Sequence, residues 1–228
     1  NFSEINAIAL KYNLPVIEDA AQSFGSTHEG KRSCNLSTIG VTSFFPSKPL
    51  GCYGDGGACF TNDKLLAEKI RCLSRHGQIR RYIHKETGIN GRLDTIQAAI
   101  LIAKLPYFDN EVQKRQEVGY RYTQKLNEKG FDSTPIIMSN NTSVFAQYTI
   151  RVKNRDFIQA KLNEQNIPTS IHYPMPLPEQ PSLKRFKKFC PISKIASEEV
   201  LSLPMHPFLT ENQQDTIVKN LIRITAPN

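Results

Sequence analysis

The sequence contains no long apolar run and no paired-cysteine motif. Its longest uninterrupted apolar stretch covers residues 98–103, far short of the roughly 20 residues that span a bilayer as a helix. The five cysteines are an odd number, and no two of them form a Cys-x-x-Cys pair. Neither a disulfide framework nor a zinc site is indicated. We therefore expect a cytoplasmic protein without a bound metal or a membrane partner.

Motifs for nucleic-acid or dinucleotide binding are also absent. The chain is basic, with a formal net charge of +8, so an anionic partner is expected. No zinc finger, RNP motif or helix-turn-helix spacing accompanies the scattered basic residues, which argues against nucleic acid. The glycine-rich segment 51–57 does not spell G-x-G-x-x-G, and neither a His-Glu-x-x-His nor a Ser-His-Asp arrangement is present.

A lysine lies at the centre of the most distinctive stretch, residues 42–51 (TSFFPSKPLG). Apolar residues precede it and predict a strand, while Pro46 and Pro49 cannot lie inside a central strand. Lys48 is therefore expected on a rigid turn at the end of a buried strand, followed by glycine-rich chain. Such a position can desolvate an amine, as a lysine that bonds an aldehyde requires. On this stretch alone, an ordinary surface lysine is the competing interpretation.

A second short strand ends in an aspartate. Residues 14–19 (LPVIED) are followed by small residues, and a polar group at the C-terminal edge of an α/β sheet is well placed to contact a cofactor. Pyridoxal phosphate (PLP) needs a lysine for its aldehyde and a carboxylate for its pyridine nitrogen. Asp19 and Lys48 could supply that pair. Taken alone, an aspartate at this position is more often a helix N-cap.

Several segments, in order along the chain, resemble the DegT/StrS sugar aminotransferases. They are residues 18–23 (EDAAQS), 43–51 (SFFPSKPLG), 54–57 (GDGG), 88–94 (GINGRLD), 172–174 (HYP) and 203–207 (LPMHP). The resemblance implies an α/β fold: the PLP-dependent aminotransferase fold type I, with a mixed, mostly parallel sheet flanked by helices and a smaller α+β C-terminal domain. It also implies that the N-terminal part of the large domain is missing from this chain.

The resemblance also assigns roles to individual residues. It implies that Lys48 bonds the PLP aldehyde and Asp19 contacts the pyridine nitrogen, both as catalytic residues. Gln22 would lie beside the ring 3-oxygen, Ser43 would bind the phosphate, and Asn90 would reach the phosphate from the neighbouring subunit. Arg92, His172 and Tyr173 match positions near the sugar-nucleotide. Gln97 and the apolar helix around it are expected to serve packing.

The resemblance further implies a reaction and its partners. The segments 32–37 and 51–54 are most similar to the branch that aminates UDP-2-acetamido-2-deoxy-3-oxo-glucuronate during surface polysaccharide (O-antigen) synthesis. The expected partners are a UDP-sugar, glutamate as amino donor, and a second copy of the chain in a homodimer with shared active sites. A multiply charged nucleotide-sugar would also account for a basic cleft.

Two alternatives stay open. The first is a related PLP-dependent sugar-modifying enzyme, such as a sugar dehydratase of the same fold. Those enzymes carry histidine in place of the lysine, so Lys48 argues against them. The second is a non-catalytic regulator or anion-binding module on a PLP-enzyme scaffold.

Hydrophobic periodicity predicts the order of elements and two domains. The predicted helices and strands, in order, are helix 2–12, strand 16–19, strand 39–45, strand 57–61, helix 64–74, helix 93–105, helix 108–129, strand 145–152, helix 155–165, strand 168–173, helix 193–201 and helix 211–224. A polar loop is expected at 75–88. We place the boundary near Asn110, with residues 1–110 in the large PLP-binding domain and 111–228 in the linker helix and small domain.

Overall fold

The structure is a computed structural model that describes residues 1–186 and 188–226. Its α-helices and strands, in chain order, are α1 (Phe2–Lys11), β1 (Ile17–Asp19), β2 (Thr27–His28), β3 (Lys31–Arg32), β4 (Ile39–Ser43), β5 (Gly57–Phe60), α2 (Lys64–Leu73), β6 (Gln78–Arg80), β7 (Ile83–His84), α3 (Thr95–Glu128), β8 (Asn141–Thr142), β9 (Tyr148–Arg151), α4 (Arg155–Glu164), α5 (Pro191–Glu199), β10 (Val200–Leu203) and α6 (Glu211–Thr225). Two short 3₁₀ helices, Leu177–Glu179 and Pro181–Phe186, precede α5.

The chain divides into two compact units. The first contains residues 1–113 and 137–146, and the second contains residues 114–136 and 147–228. The domain boundary near Asn110 stays a prediction.

The first unit is built on a three-stranded sheet in the order β1-β4-β5. β1 pairs in parallel with β4, and β4 pairs antiparallel with β5. Its apolar core joins side chains from the loop after β4, from α3 and from the segment after β8, namely Phe44, Leu50, Cys52, Leu101, Phe108, Val112 and Val144. The lysine-bearing loop is therefore attached to the core at several points.

The second unit surrounds a two-stranded antiparallel sheet, β9 and β10. Its most deeply buried side chains come from α3, both strands, α4 and α6, and include Tyr122, Leu126, Tyr148, Ile150, Leu162, Leu201 and Leu221. The side chain of Thr210 caps α6 in a capping box with Gln213. None of the helices in the described chain is both long enough and apolar enough to cross a membrane.

The prediction of two helices at 93–105 and 108–129 was wrong, because α3 is continuous through Pro106. Proline removes one helical hydrogen bond and usually kinks or ends a helix. Here Leu101, Phe108 and Val112 are all buried in the same core cluster. Continuing the helix keeps these three side chains on one face, which offsets the lost hydrogen bond.

Three other element predictions were also wrong. The predicted loop 75–88 contains the hairpin β6–β7. There the Gly77 carbonyl accepts a hydrogen bond from the Lys85 amide, and the backbone of Glu86 lies too close to Gly77 for any side chain at that position. The predicted strand 168–173 is reduced to one bridge between Ser170 and Ser202. The helix predicted to reach residue 201 ends at Glu199, because residues 200–203 pair with β9.

Candidate active site

Asp19, Ser43 and the loop that carries Lys48 leave the sheet at the same edge. β1 and β4 run in parallel with Asp19 opposite Val41, so the C-terminal ends of both strands lie side by side. Ser43 is the last residue of β4, and Lys48 follows in the next turn. This is the edge at which α/β sheets bind ligands.

The chain turns sharply after Asp19 and does not begin a helix there. The Asp19 Oδ1 accepts a hydrogen bond from the Ala21 amide at 3.0 Å. The Ala20 amide donates to the Val41 carbonyl at 2.7 Å, and the Thr42 hydroxyl donates to the Ala20 carbonyl at 3.3 Å. The helix N-cap interpretation of Asp19 was therefore wrong: the aspartate closes a turn, and its Oδ2 has no protein partner within the described residues.

Backbone hydrogen bonds join the two ends of the loop that carries Lys48, residues 44–56, which we call the lysine loop. The Phe44 amide donates to the Gly56 carbonyl at 2.7 Å, and the Cys52 amide donates back to the Phe44 carbonyl at 2.8 Å. The Lys48 amide donates to the Phe45 carbonyl at 2.8 Å. A Cβ on Gly51 would lie 2.5 Å from the Pro46 carbonyl oxygen, so only glycine fits this turn. Lys48 itself is half-buried, as expected for an amine held near a cofactor.

Helix α3 braces the same loop through two polar side chains. The Gln97 Oε1 accepts from the Tyr53 amide at 2.8 Å, and the Lys104 Nζ donates to the Gly51 carbonyl at 2.5 Å. Sequence reasoning assigned Gln97 to packing and gave Lys104 no role. The signal available in the sequence was the occurrence of Gln97 and Lys104 as the two polar residues of the otherwise apolar run 96–105.

A buried acid behind the site also escaped sequence reasoning. Glu18 is only 2% exposed, and its carboxylate accepts the amides of Cys34 at 2.7 Å and Leu36 at 3.1 Å. These contacts fix the loop that follows β3. Burial, with the nearby carboxylates of Glu18 and Asp19, raises the pKa of the Cys34 thiol to about 12.

Ser43 and Gln22 have side chains compatible with their predicted roles. The Ser43 Oγ accepts from the Phe45 amide at 3.2 Å. A hydroxyl that accepts can still donate its own hydrogen, so Ser43 can donate to a phosphate oxygen. Gln22 is exposed in the turn that follows Asp19. Both assignments remain predictions.

Asn90 and Arg92 lie on a separate exposed loop of the first unit. Asn90 forms a bridge with Arg75 beyond α2, and its Oδ1 accepts from the Arg92 Nε at 3.0 Å. The pair therefore presents an exposed amide and guanidinium, groups that can bind phosphate or carboxylate oxygens.

His172 and Tyr173 belong to the second unit. Both side chains are exposed, and their rings meet edge to face with centroids 5.5 Å apart. The His172 Nδ1 lies 2.9 Å from the Ser202 Oγ. The Nδ1 edge of the His172 ring is thus anchored to β10.

The sheet edge of the first unit fits PLP. Asp19 offers an unpartnered carboxylate oxygen for a pyridinium nitrogen, Ser43 offers a hydroxyl hydrogen for a phosphate, and Lys48 offers an amine on a fixed turn.

Comparisons with known proteins point to the same chemistry. Residues 1–222 match the DegT/DnrJ/EryC1/StrS aminotransferase family. The chain is 57% identical over 209 residues to the UDP-2-acetamido-2-deoxy-3-oxo-D-glucuronate aminotransferase of Pseudomonas aeruginosa, covering 92% of this chain and 58% of that protein. It is 45% identical over 222 residues to the pleiotropic regulatory protein of Geobacillus stearothermophilus, covering 95% of this chain and 60% of that protein.

A solved structure confirms the predicted fold class. The crystal structure of S. venezuelae DesV in complex with a ketimine intermediate superposes with a TM-score of 0.95 at 30% identity. The match covers 100% of this chain and 62% of that one. The chain thus spans about three-fifths of the length of these relatives.

Proposed function

Since the chain belongs to the DegT/DnrJ/EryC1/StrS aminotransferase family, we propose that it is part of a PLP-dependent enzyme that aminates a nucleotide-linked keto-sugar. The proposed substrate is UDP-2-acetamido-2-deoxy-3-oxo-glucuronate, with glutamate as amino donor, in the cytoplasmic synthesis of a surface polysaccharide such as O-antigen. The observation that carries the proposal is the meeting of Asp19, Ser43 and the Lys48 loop at one sheet edge. The 57% identity to the Pseudomonas enzyme supports the choice of substrate.

Each of these residues has a distinct role in the proposed reaction. When bound, PLP supplies an electron sink that stabilises negative charge on the reacting carbon. The Asp19 carboxylate holds a proton at the ring nitrogen, and the Ser43 hydroxyl binds the phosphate. Lys48 would hold the cofactor through its amine. Once the amine of the donor has displaced it, the free Lys48 amine would take the proton from the donor's α-carbon as a general base. The backbone hydrogen bonds within the lysine loop keep the Lys48 backbone in place between these steps.

The proposed active unit is a homodimer that shares its two sites. The first turns of α3 expose large apolar side chains, with Ile96 72%, Ile102 70% and Leu105 55% exposed. Exposed apolar side chains of this kind are typical of an obligate interface, which buries more than about 2,000 Å². In such a dimer Asn90 reaches the cofactor phosphate of the partner subunit, and Arg92, His172 and Tyr173 bind the sugar-nucleotide.

A regulatory role is the second candidate function. It is favoured by the 45% identity to a protein named as a pleiotropic regulator. A regulator built on this scaffold needs to bind its ligand but does not need to turn it over.

An amination assay separates the two functions. The complete enzyme is incubated with PLP, glutamate and a panel of keto-sugar nucleotides that differ in sugar and in base, and amino-sugar formation is followed by mass spectrometry. We expect the UDP-linked 3-oxo-glucuronate to be aminated fastest. Binding of these compounds without amination of any of them would favour the regulator.

A further inference from the structure

Two hydroxyl groups in the second unit hold the ring of His172. Ser202 on β10 is directly opposite Thr149 on β9, and residues opposite each other in a sheet have side chains on the same face. The Thr149 Oγ1 lies 2.8 Å from the Ser202 Oγ, and the Ser202 Oγ lies 2.9 Å from the His172 Nδ1. A continuous chain of hydrogen bonds therefore runs from the sheet to the imidazole ring.

Ser202 is well suited to fix another side chain because it is fixed itself. It is 4% exposed. Its backbone also exchanges hydrogen bonds with Ser170, at 3.1 and 2.7 Å, two residues before His172. His172 is exposed, so its Nδ1 edge is anchored while the rest of the ring can meet a ligand.

The hydrogen-bond chain Thr149–Ser202–His172 can run in two directions, which differ in the acceptors available to the hydroxyl hydrogens. If Thr149 donates to Ser202, the single Ser202 hydroxyl hydrogen can be donated to Nδ1, and every hydroxyl hydrogen has an acceptor. In the reverse direction Nδ1 donates to Ser202 and Ser202 donates to Thr149, so the Thr149 hydrogen finds no protein acceptor among the described residues. Only the first direction gives every hydroxyl hydrogen of this network an acceptor within the described protein. In a neutral ring it places the proton on Nε2.

We propose that Ser202 and Thr149 are positioning residues that hold the His172 ring with its Nε2–H directed outward, as a donor to an acceptor oxygen of the sugar-nucleotide. This inference rests on the proposed function, in which His172 contacts the substrate. Neither hydroxyl touches the substrate itself: Ser202 acts through His172, and Thr149 acts through Ser202.

The tautomer of His172 tests the hydrogen-bond chain without any activity assay. In the complete enzyme labelled with ¹⁵N-histidine, NMR distinguishes a protonated from an unprotonated Nδ1. We expect the Nε2–H form in the wild type and a mixture of both forms in Ser202→Ala, which removes the donor to Nδ1. Thr149→Val is the matched control at the neighbouring position: it should keep the Nε2–H form, because Nδ1 is then the acceptor that remains for the Ser202 hydrogen. An unchanged tautomer in Ser202→Ala would overturn the proposal.

Kinetics of the two half-reactions test the effect on substrate. Loss of one hydrogen-bonded position is expected to raise the KM for the sugar-nucleotide about five-fold in Ser202→Ala. The kcat and the glutamate half-reaction should stay within about two-fold of wild type, whereas general damage to the fold would lower both half-reactions. A shifted tautomer with an unchanged KM for the sugar-nucleotide would overturn the positioning role.

These readouts also separate this inference from the proposed function. If the wild-type enzyme aminated no keto-sugar nucleotide, the proposed function would fail, and the NMR comparison would still decide whether Ser202 sets the tautomer. If the wild type were active and Ser202→Ala matched it in tautomer and KM, only the inference would fail.

Discussion

The two oxygens of the Asp19 carboxylate have different roles in the proposed site. Its Oδ1 holds the turn by accepting from the Ala21 amide, and Oδ2 is the oxygen that we propose contacts the cofactor. Asp19→Asn separates the two tasks, because an amide oxygen can still accept from Ala21 but cannot hold a proton at the pyridine nitrogen.

We therefore expect Asp19→Asn to fold and bind PLP while its kcat falls roughly 10²-fold or more. The kcat is measured by the amination assay and cofactor binding by the visible absorbance of the complete enzyme. Wild-type turnover in this variant would mean that Asp19 serves only the turn.

The Cys34 thiol provides a pH-dependent probe of the loop behind the site. Burial raises its pKa to about 12, from an ordinary value near 9. Because the folded state favours the neutral thiol, Cys34 stabilises the fold fully below pH about 9, and this contribution is lost as the pH rises toward 12.

We expect Cys34 to resist alkylation in the native protein at about pH 8.5, since the thiolate is the reactive form. Exposed Cys190 should be modified under the same conditions. Peptide mass spectrometry measures the extent of labelling at each cysteine. Rapid modification of Cys34 in the folded enzyme would show that the loop around it opens freely.

At the level of elements, the active-site edge depends on how β1 and its neighbouring loop are held. Glu18 alternates with Asp19 along β1, so one side chain is buried while the next faces the site. The buried carboxylate accepts two amides from the loop 34–36. An ionised carboxylate suits this position because both of its oxygens accept hydrogen bonds.

Glu18→Gln tests this arrangement. The amide has one acceptor oxygen, so its NH₂ group would face a backbone N–H, and we expect the free energy of unfolding to fall by about 1–3 kcal/mol. Urea denaturation measures the change, with Glu68→Gln on the exposed surface of α2 as the matched control. Equal stability of the two variants would show that Glu18 is dispensable to the loop.

The sequence predicts elements well where local pattern and packing agree. Helices α1, α2, α4 and α6 and strands β1, β4 and β5 lie where periodicity predicts them, within a few residues. Pro106 misleads because buried side chains on both sides of it hold α3 together. The β6–β7 hairpin has no alternating pattern and depends on the backbone conformation of Gly77, which has a φ of +70°.

In the candidate site, too, local sequence pattern predicts some residues, whereas others depend on contacts with distant parts of the chain. The apolar pattern of the sequence predicts Asp19 and Lys48 at or after the ends of two strands, whereas the role of Ser43 follows only from the resemblance to the family. The pairing of β1 with β4, which brings these strand ends together, comes from the structure. Gln97, Glu18 and Ser202 act through hydrogen bonds to distant backbone or side-chain atoms. Their partners lie 44, 16 and 30 residues away, respectively, and no local motif marks such pairs.

At the level of the whole molecule, the proposed dimer makes each active site depend on two chains. Lys48 would come from one subunit and Asn90 from the other. Lys48→Ala and Asn90→Ala should therefore each impair both sites of their own homodimer, while a mixed dimer regains one intact site.

We expect subunit exchange between the two complete variants to restore about a quarter of wild-type activity, as random pairing of a twofold dimer gives. Exchange is followed with differently tagged subunits. A mixture of Lys48→Ala with a Lys48→Ala, Asn90→Ala double variant is the control and should stay inactive. Proven exchange without recovery of activity would contradict shared sites.

The most direct test of the central claim is the covalent attachment of PLP to Lys48. The complete enzyme is incubated with PLP, treated with borohydride to make the linkage permanent, digested, and sequenced by mass spectrometry. We predict a visible absorbance band before reduction and a cofactor adduct on the peptide that contains Lys48, with neither in Lys48→Ala. Because the Lys48 side chain is only half-buried, that variant should still fold. An adduct on another lysine, or full amination activity in Lys48→Ala, would contradict the account.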